Sequence, residues 1–380
     1  MRALSYGGPA KLSVAGKPDP VIEDPRDAVI RVTRSAICGS DLHLYRGLVP
    51  DTRIGSTFGH EVTGVVDTVG ADVRTLRPGD RVVVPFNIAC GECFFCQKER
   101  WASCDRSNPT SAVFGGAFGY SHSTGGYEGG QAEYLRVPFA DVGPLKIPEG
   151  LDDEEVLFLS DILPTGYQAA VMGEIEAGDT VVVFGCGPVG LFAQTSARLL
   201  GAGRVIAVDW VDYRLEFAHR YSGVETVDFR EVDDVVAHLR GMTEGRGPDV
   251  CIDAVGLEAS GSWLHRALGA LGLQAGAATA VSWAIDTVRK AGKVSIVGVY
   301  GPPWNLVPIG TAMNKGLTLR MGQCDVKRYM TELLEHIRQR RIDARAVISH
   351  RLALEDAPDA YRMFAEKRDG CIKCVLLPAA

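Results

Sequence analysis

Thr180-Val181-Val182-Val183-Phe184-Gly185-Cys186-Gly187-Pro188-Val189-Gly190 passes from a continuous apolar run through three spaced glycines into the helix-like stretch Leu191 to Leu200. An apolar run of this length reads as a strand buried on both faces, and the glycines mark a turn that lets backbone approach another group closely. A helix that starts at such a turn points its free N–H groups at whatever lies there, and a pyrophosphate suits them. Asp209 lies nineteen residues beyond Gly190, at the end of the next run, Arg204 to Asp209. A carboxylate at that position accepts hydrogen bonds from ribose hydroxyls and repels a 2′-phosphate, which favours NAD over NADP. Arg214 is close enough in sequence to serve a phosphate instead. A helix-packing glycine turn is the structural alternative; strand, turn, helix and acid together favour the dinucleotide.

Working outward, Asp249 to Asp253 and Lys293 to Val297 are further buried runs with helical pattern between them, so the region reads as a doubly wound parallel sheet. The crossover from Leu257 to Ala280 is long and rich in Gly and Ala, and predicts an extra loop at the domain junction. This α/β character begins at Asp152 to Gly173, where four acidic residues precede an apolar stretch as at a helix start. Before it, Ala28 to Arg34 alternates with period two and Glu61 to Val69 is β-branched and threaded with glycine, so the first lobe is mainly β. Gly115 to Gly130 carries seven glycines and predicts a mobile or tightly turned loop. Two domains are expected: 1–164 with 304–380, and 165–303.

With 40 basic and 47 acidic residues and no cationic run, the chain offers nothing that would attract a phosphate backbone, so nucleic acid is excluded as a partner. No window holds eighteen apolar residues and the first residues do not pattern as a secretory signal; no membrane association and a cytoplasmic location are expected.

The ten cysteines are unevenly spread. Cys90-x-x-Cys93-x-x-Cys96 followed by Cys104 puts four thiolates within fifteen residues, enough to close a tetrahedral zinc site that excludes water and fixes a loop, about 88–106, lacking a core of its own. A redox-active pair or coincidental core cysteines are the alternatives. Cys371-x-x-Cys374 has no second pair beside it and receives no function. Elsewhere, Cys38, His60 and Asp161 offer one thiolate, one imidazole and one carboxylate, a set that fits zinc and leaves its fourth position open for chemistry.

One closed zinc site, one open zinc site and a dinucleotide turn resemble, in order and over nearly the whole chain, the zinc-containing medium-chain alcohol dehydrogenases. The residues that carry this are Cys38-Gly39-Ser40-Asp41, Gly59-His60-Glu61, the four-cysteine lobe, Gly185 to Gly190 and Asp209. Within the family, Pro85 to Gly91, Gly129 to Tyr134 and Leu159 to Tyr167 are most similar to the branch containing glutathione-independent formaldehyde dehydrogenase and formaldehyde dismutase. The resemblance implies a GroES-like, mainly-β catalytic domain and a Rossmann coenzyme domain, two zinc ions per chain, NAD, and a homodimer or homotetramer. It also implies Asp161 as third ligand of the catalytic zinc, where the wider family commonly has cysteine.

Further roles follow from the resemblance. Zinc on Cys38, His60 and Asp161 would bind the oxygen of a small alcohol or aldehyde as a Lewis acid, with hydride passing between its carbon and the nicotinamide. Ser40 and His43 match the proton relay; the alternatives are a turn hydroxyl and a helix-surface histidine. Glu61 is either a transient zinc ligand or a structural carboxylate, and Asp41 is placed to support His60. Phe86 matches a substrate-pocket position, and Leu48 is expected in the pocket wall. The dinucleotide is expected to contact Gly185, Gly187, Pro188, Val189, Gly190, Asp209, Arg214, Thr165, Val255 and Val299. The insertion with which the formaldehyde branch encloses NAD is not evident in Leu257 to Ala280, and Gly39 stands where some relatives place an arginine against the pyrophosphate. Three readings therefore remain: an alcohol or aldehyde dehydrogenase, an aldehyde dismutase with tightly held NAD, and a NAD-binding sensor without chemistry.

Overall fold

Alternating and continuously apolar segments go to different sheets. The structure, a computed structural model, describes residues 1–49, 51–256, 278–300 and 307–378, and most of the crossover expected over Leu257 to Ala280 lies outside them. The chain divides into two units, Met1–Pro164 with Cys324–Ala380, and Thr165–Gln323.

In the first unit, Ala28–Ala36 pairs antiparallel with Glu61–Val69 and Tyr134–Val137, and Glu61–Val69 pairs with Arg81–Val84. The C-terminal strand Cys374–Leu377 joins the same sheet on Ala28–Ala36 and carries His350–Ala353 in parallel on its other side. The helix Val326–Arg338 buries Val326, Tyr329, Met330, Leu333, Leu334 and Ile337, one stripe at helical spacing. It starts against the cysteine lobe, where Asp325 accepts from the Ala102 N–H at 2.9 Å and the Val326 N–H donates to Asn87 at 3.2 Å.

In the second unit the sheet order is Glu225–Asp228, Arg204–Asp209, Thr180–Phe184, Val250–Asp253, Lys293–Ile296 and Thr318–Met321, all parallel. The order turns back beside Thr180–Phe184, so the carboxyl ends of that strand and Val250–Asp253 flank the crevice where such sheets bind ligands. The second crossing between units falls after Gln323, not at 303/304 as the sequence suggests. The reason is the edge strand Thr318–Met321, preceded by the helix Ile309–Lys315: it is largely exposed, and Thr318 and Arg320 interrupt the apolar run that marks the inner strands.

The helix start expected near Asp152 is a capping box: the Asp152 carboxylate accepts from the Glu155 N–H, and Glu155 accepts from the Asp152 N–H, each at 2.9 Å. Beside it Glu154 accepts from Arg351 at 2.8 Å and Arg34 at 3.3 Å. Burial alone would raise the Glu154 pKa, but the two guanidiniums outweigh it and hold the carboxylate below its ordinary value. A depressed carboxylate stabilises the fold above its unfolded pKa, and that contribution is lost as pH falls through the folded value. Glu154→Gln is expected to cost about 1 kcal/mol at neutral pH. In urea titrations the deficit should vanish in acid; a pH-independent difference would contradict the pairing.

Candidate active site and zinc centres

Cys38 follows the strand Ala28–Ala36, His60 immediately precedes Glu61–Val69, and Asp161 sits between the 3-10 turn Leu157–Ser160 and the helix Ile162–Met172. Two local devices bring them together. The Phe86 N–H donates to the Ser160 carbonyl at 2.9 Å, and the Phe86 ring meets His60 edge-on, with centroids 5.9 Å apart. The glycine-rich loop packs tightly on Phe58 and Gly59: a Cβ at Gly129 would lie 2.3 Å from the Phe58 carbonyl oxygen, and one at Gly119 2.4 Å from that of Gly59. Of the two forms expected for that loop, the tightly turned one is observed.

The three side chains converge in the interior, all buried. Cys38 Sγ and His60 Nε2 each lie 3.2 Å from Asp161 Oδ2. Tetrahedral zinc bonds of ordinary length would set these atoms about 3.4–3.6 Å apart, so the set needs to open by only a few tenths of an ångström. Burial pushes the Cys38 thiol up, and Asp161 adds to it; His60, lowered by burial alone, is held well above its ordinary value by Asp41 and Asp161. Asp41, Glu61 and Asp161 are all buried here with Cys38, and among the described residues Lys373 is the sole buried Lys or Arg. Three carboxyls and a thiol against one ammonium suit a dication at the trio.

His60 is held from behind. Its Nδ1 is 3.2 Å from Asp41 Oδ1, and Asp41 Oδ2 accepts from the Cys38 N–H at 2.9 Å and from Gln131 Nε2 at 3.3 Å. The Tyr361 hydroxyl donates to Gln131 Oε1 at 2.8 Å. A carboxylate on the far nitrogen of an imidazole fixes its tautomer and aims the other nitrogen at a metal.

Ser40 Oγ is 3.2 Å from His60 Nε2. His43 lies in the short helix Asp41–Tyr45 and is 3 % exposed, so it is not a helix-surface histidine. Glu61 is not drawn to the trio's common point; its Oε2 is 2.6 Å from Lys373 Nζ, with both side chains fully buried. Lys373 also donates to the Ile37 carbonyl at 2.8 Å. Burial would lower the Lys373 pKa, but Glu61 and Cys38 outweigh it and keep the ammonium above its ordinary value. Sequence reasoning missed Lys373, Gln131 and Tyr361. A lysine inside Cys371-Ile372-Lys373-Cys374-Val375-Leu376-Leu377 was the available signal, because a cation in an apolar run needs a buried partner.

In the cysteine lobe, Cys90 and Cys96 Sγ are 3.9 Å apart, as are Cys93 and Cys104. A tetrahedron with zinc–sulfur bonds of about 2.3 Å has edges of about 3.8 Å, so four sulfurs already fit. Backbone N–H groups of Glu92 and Cys93 point at Cys90 Sγ, at 3.4 and 3.3 Å, as thiolates favour. The lobe's own apolar cluster is small, formed by Ala89, the cysteines and the flanks of Trp101, Phe139 and Val142. Cys93→Ser is expected to remove one zinc per chain and to cost several kcal/mol of stability. Native metal content together with an unchanged melting temperature would contradict this.

The second unit builds the glycine turn from three unlike positions. Gly185 has φ +102°, and a Cβ at Gly190 would lie 2.0 Å from the Gly185 carbonyl oxygen, so one supplies the turn and the other the close approach of helix to strand. A Cβ at Gly187 would meet nothing nearer than Arg214 Nη1 at 3.7 Å, leaving space at the turn for a ligand. Pro188 opens the helix Pro188–Leu199, and the ladder begins only with Leu191 N–H to Gly187, so the N–H groups of Val189 and Gly190 lie in its open first turn. Asp209 accepts from the Cys186 N–H at 2.7 Å through one oxygen, and from Trp210 and Val211 at 2.7 and 3.1 Å through the other. It thus ties the second strand to the turn. Val255 Cγ2 would be 3.0 Å from a Cβ at Gly185, and Val299 N 2.4 Å from one at Gly256, so both valines lie at this carboxyl end of the sheet. Thr165 lies in the helix Ile162–Met172, which rides closely on Phe192 and Ala193 at Gly166.

A doubly wound sheet with a glycine turn, a four-sulfur site and an open Cys-His-Asp site defines a zinc-binding dehydrogenase. Residues 24–149 match the family model Alcohol dehydrogenase GroES-like domain, and residues 188–272 match Zinc-binding dehydrogenase. An uncharacterized zinc-type alcohol dehydrogenase-like protein, AdhB, of Bacillus subtilis is 46% identical over the whole of both chains. The glutathione-independent formaldehyde dehydrogenase of Pseudomonas aeruginosa is 37% identical, over 96% of this chain and 94% of its own. Alcohol dehydrogenase TADH from Thermus sp. ATN1 superimposes with a TM-score of 0.85, at 37% identity over 99% of each chain. The chain belongs to the zinc-containing alcohol dehydrogenase family, with a GroES-like and a Rossmann domain.

Proposed function

We propose that this chain is a zinc-dependent dehydrogenase that passes hydride between a small alcohol, or an aldehyde as carbonyl or hydrate, and NAD. The observation that supports it most is the buried convergence of Cys38, His60 and Asp161: three ligand types suited to zinc, with a fourth position left for substrate. Zinc held there supplies Lewis acidity, which lowers the pKa of an alcohol and polarises a carbonyl.

The remaining work falls to the chain's own groups. Asp41, anchored through Gln131 to Tyr361, orients His60. Ser40, whose Oγ is 3.2 Å from the imidazole nitrogen that faces the trio, is assigned as the hydroxyl that takes the alcohol proton, and the buried His43, three residues on, as the next group of the relay. Glu61, paired with Lys373, acts as a structural carboxylate that sets the field behind His60. Phe86 and Leu48 narrow the substrate space.

In the coenzyme domain the open N–H groups of Val189 and Gly190 would take the pyrophosphate. Asp209 would take the adenosine ribose and favour NAD, while Arg214 beside Gly187 would add a cation at the phosphates. We assign the working form to a cytoplasmic homodimer or homotetramer; no helix among the described residues is long and apolar enough to cross a membrane.

A panel of small primary alcohols and aldehydes tests this on zinc-loaded protein whose nucleotide content is measured after gel filtration. Turnover that requires added NAD is expected. Turnover of aldehyde alone by protein that retains NAD would establish the dismutase, and no turnover with any compound would overturn the assignment.

A further inference from the structure

Three groups of the first unit remain outside these two centres. Cys374 opens the strand Cys374–Leu377, and His350 opens the neighbouring parallel strand in direct register with it. Register partners in parallel strands point to the same face of the sheet. Cys371 comes back to that face from the preceding turn, with its Sγ 3.3 Å from that of Cys374, and both cysteines are fully buried. One ligand atom from each of His350, Cys371 and Cys374 falls within 4.8 Å of the others, as in the two centres already described.

We propose that His350, Cys371 and Cys374 form a third metal site, taking a thiophilic d¹⁰ cation such as Zn²⁺. Two sulfurs and an imidazole are a ligand set that Zn²⁺ takes up, with a fourth position completed by water at the part-exposed edge of His350. The sulfur separation needs to widen by only about 0.5 Å to reach the edge of a zinc–sulfur tetrahedron. The surrounding turn is built for rigidity: Ser349 Oγ accepts from the N–H groups of Ile372 and Lys373 at 3.0 and 3.1 Å, and lies 2.9 Å from His350 Nδ1. Binding displaces both thiol protons, so a dication leaves the site neutral.

The residue enclosed by the two cysteines is the one that pairs with Glu61 and reaches Ile37, beside Cys38. Metal in this site therefore pins the turn that carries Lys373 into the active centre. Full burial of both sulfurs disfavours the competing use of Cys-x-x-Cys as a redox pair, which needs a thiolate open to an oxidant.

The test is metal content of the full-length protein, reduced and loaded with Zn²⁺, then freed of loosely held ion. Three zinc ions per chain are expected in the wild type and two in His350→Ala and in Cys374→Val. The two retained ions report that a variant has folded. Loading with Co²⁺ should give a thiolate-to-metal absorption whose third equivalent is lost in both variants. Two equivalents in wild type and variants alike, with Cys371 and Cys374 found as free thiols, would overturn the site. Two equivalents with those cysteines joined as a disulfide would overturn it in favour of a redox pair.

Discussion

Asp161→Ala is expected to lower kcat/KM by at least about a thousandfold, a loss of about 4 kcal/mol in transition-state stabilisation, while the NADH dissociation constant stays within about twofold. The reasoning starts from geometry. Asp161 Oδ2 is the shared neighbour of Cys38 Sγ and His60 Nε2, each 3.2 Å away, so its removal takes one of three protein ligands from the site's centre. The remaining thiolate and imidazole bind zinc weakly, and bound metal drops to about one ion per chain where two are proposed outside the third site. The glycine turn, Asp209 and Arg214 belong wholly to the other unit, so dinucleotide affinity has no reason to follow. Asp161→Cys restores the ligand set common in the wider family and should recover the zinc. Unchanged turnover in Asp161→Ala would remove this residue from the centre.

Lys373→Met carries the second large effect, on stability. The variant keeps the stem's bulk but strands the Glu61 carboxylate, which is fully buried and held by the ammonium at 2.6 Å. Breaking a buried ion pair from one side costs about 3–5 kcal/mol, because the surviving charge has lost both water and partner. Much of the loss should return in Lys373→Met/Glu61→Gln, where no charge remains to be desolvated. A double-mutant cycle by urea unfolding measures this; a single variant as stable as the wild type would show that the pair contributes nothing.

How far these features can be read from sequence depends on the range over which they act. The strand Thr180–Phe184, its turn and its helix are legible because buried parallel strands are continuously apolar and because Gly185 and Gly190 answer strict local demands of conformation and space. Leu317 to Met321 reads as the last member of the same series, and the strand Thr318–Met321 does join that sheet, but its signal is weaker because an exposed edge is free to carry polar residues, as Thr318 and Arg320 show. Donor chemistry and close spacing make the four lobe cysteines legible, whereas Cys38, His60 and Asp161 are scattered along the chain and are singled out by the family resemblance. The groups that hold them in place are not, because nothing local marks them: Lys373 meets Ile37 across 336 residues of chain, and Tyr361 meets Gln131 across 230. The glycine-rich loop is an intermediate case. Its composition allows either mobility or tight packing, and the close approach to Phe58 and Gly59 decides for packing.

The central claim is that substrate carbon and nicotinamide exchange hydride directly at a site organised by Cys38, His60 and Asp161. The most direct measurement uses a primary alcohol deuterated at its carbinol carbon, zinc-loaded protein and NAD, with the label located in the reduced nucleotide by mass spectrometry. The account predicts one deuterium at the nicotinamide ring per product aldehyde, and labelled nucleotide formed at least about a thousandfold more slowly when Asp161→Ala replaces the wild type. Product formed without label in the nucleotide, or label transferred equally by the variant, would contradict it.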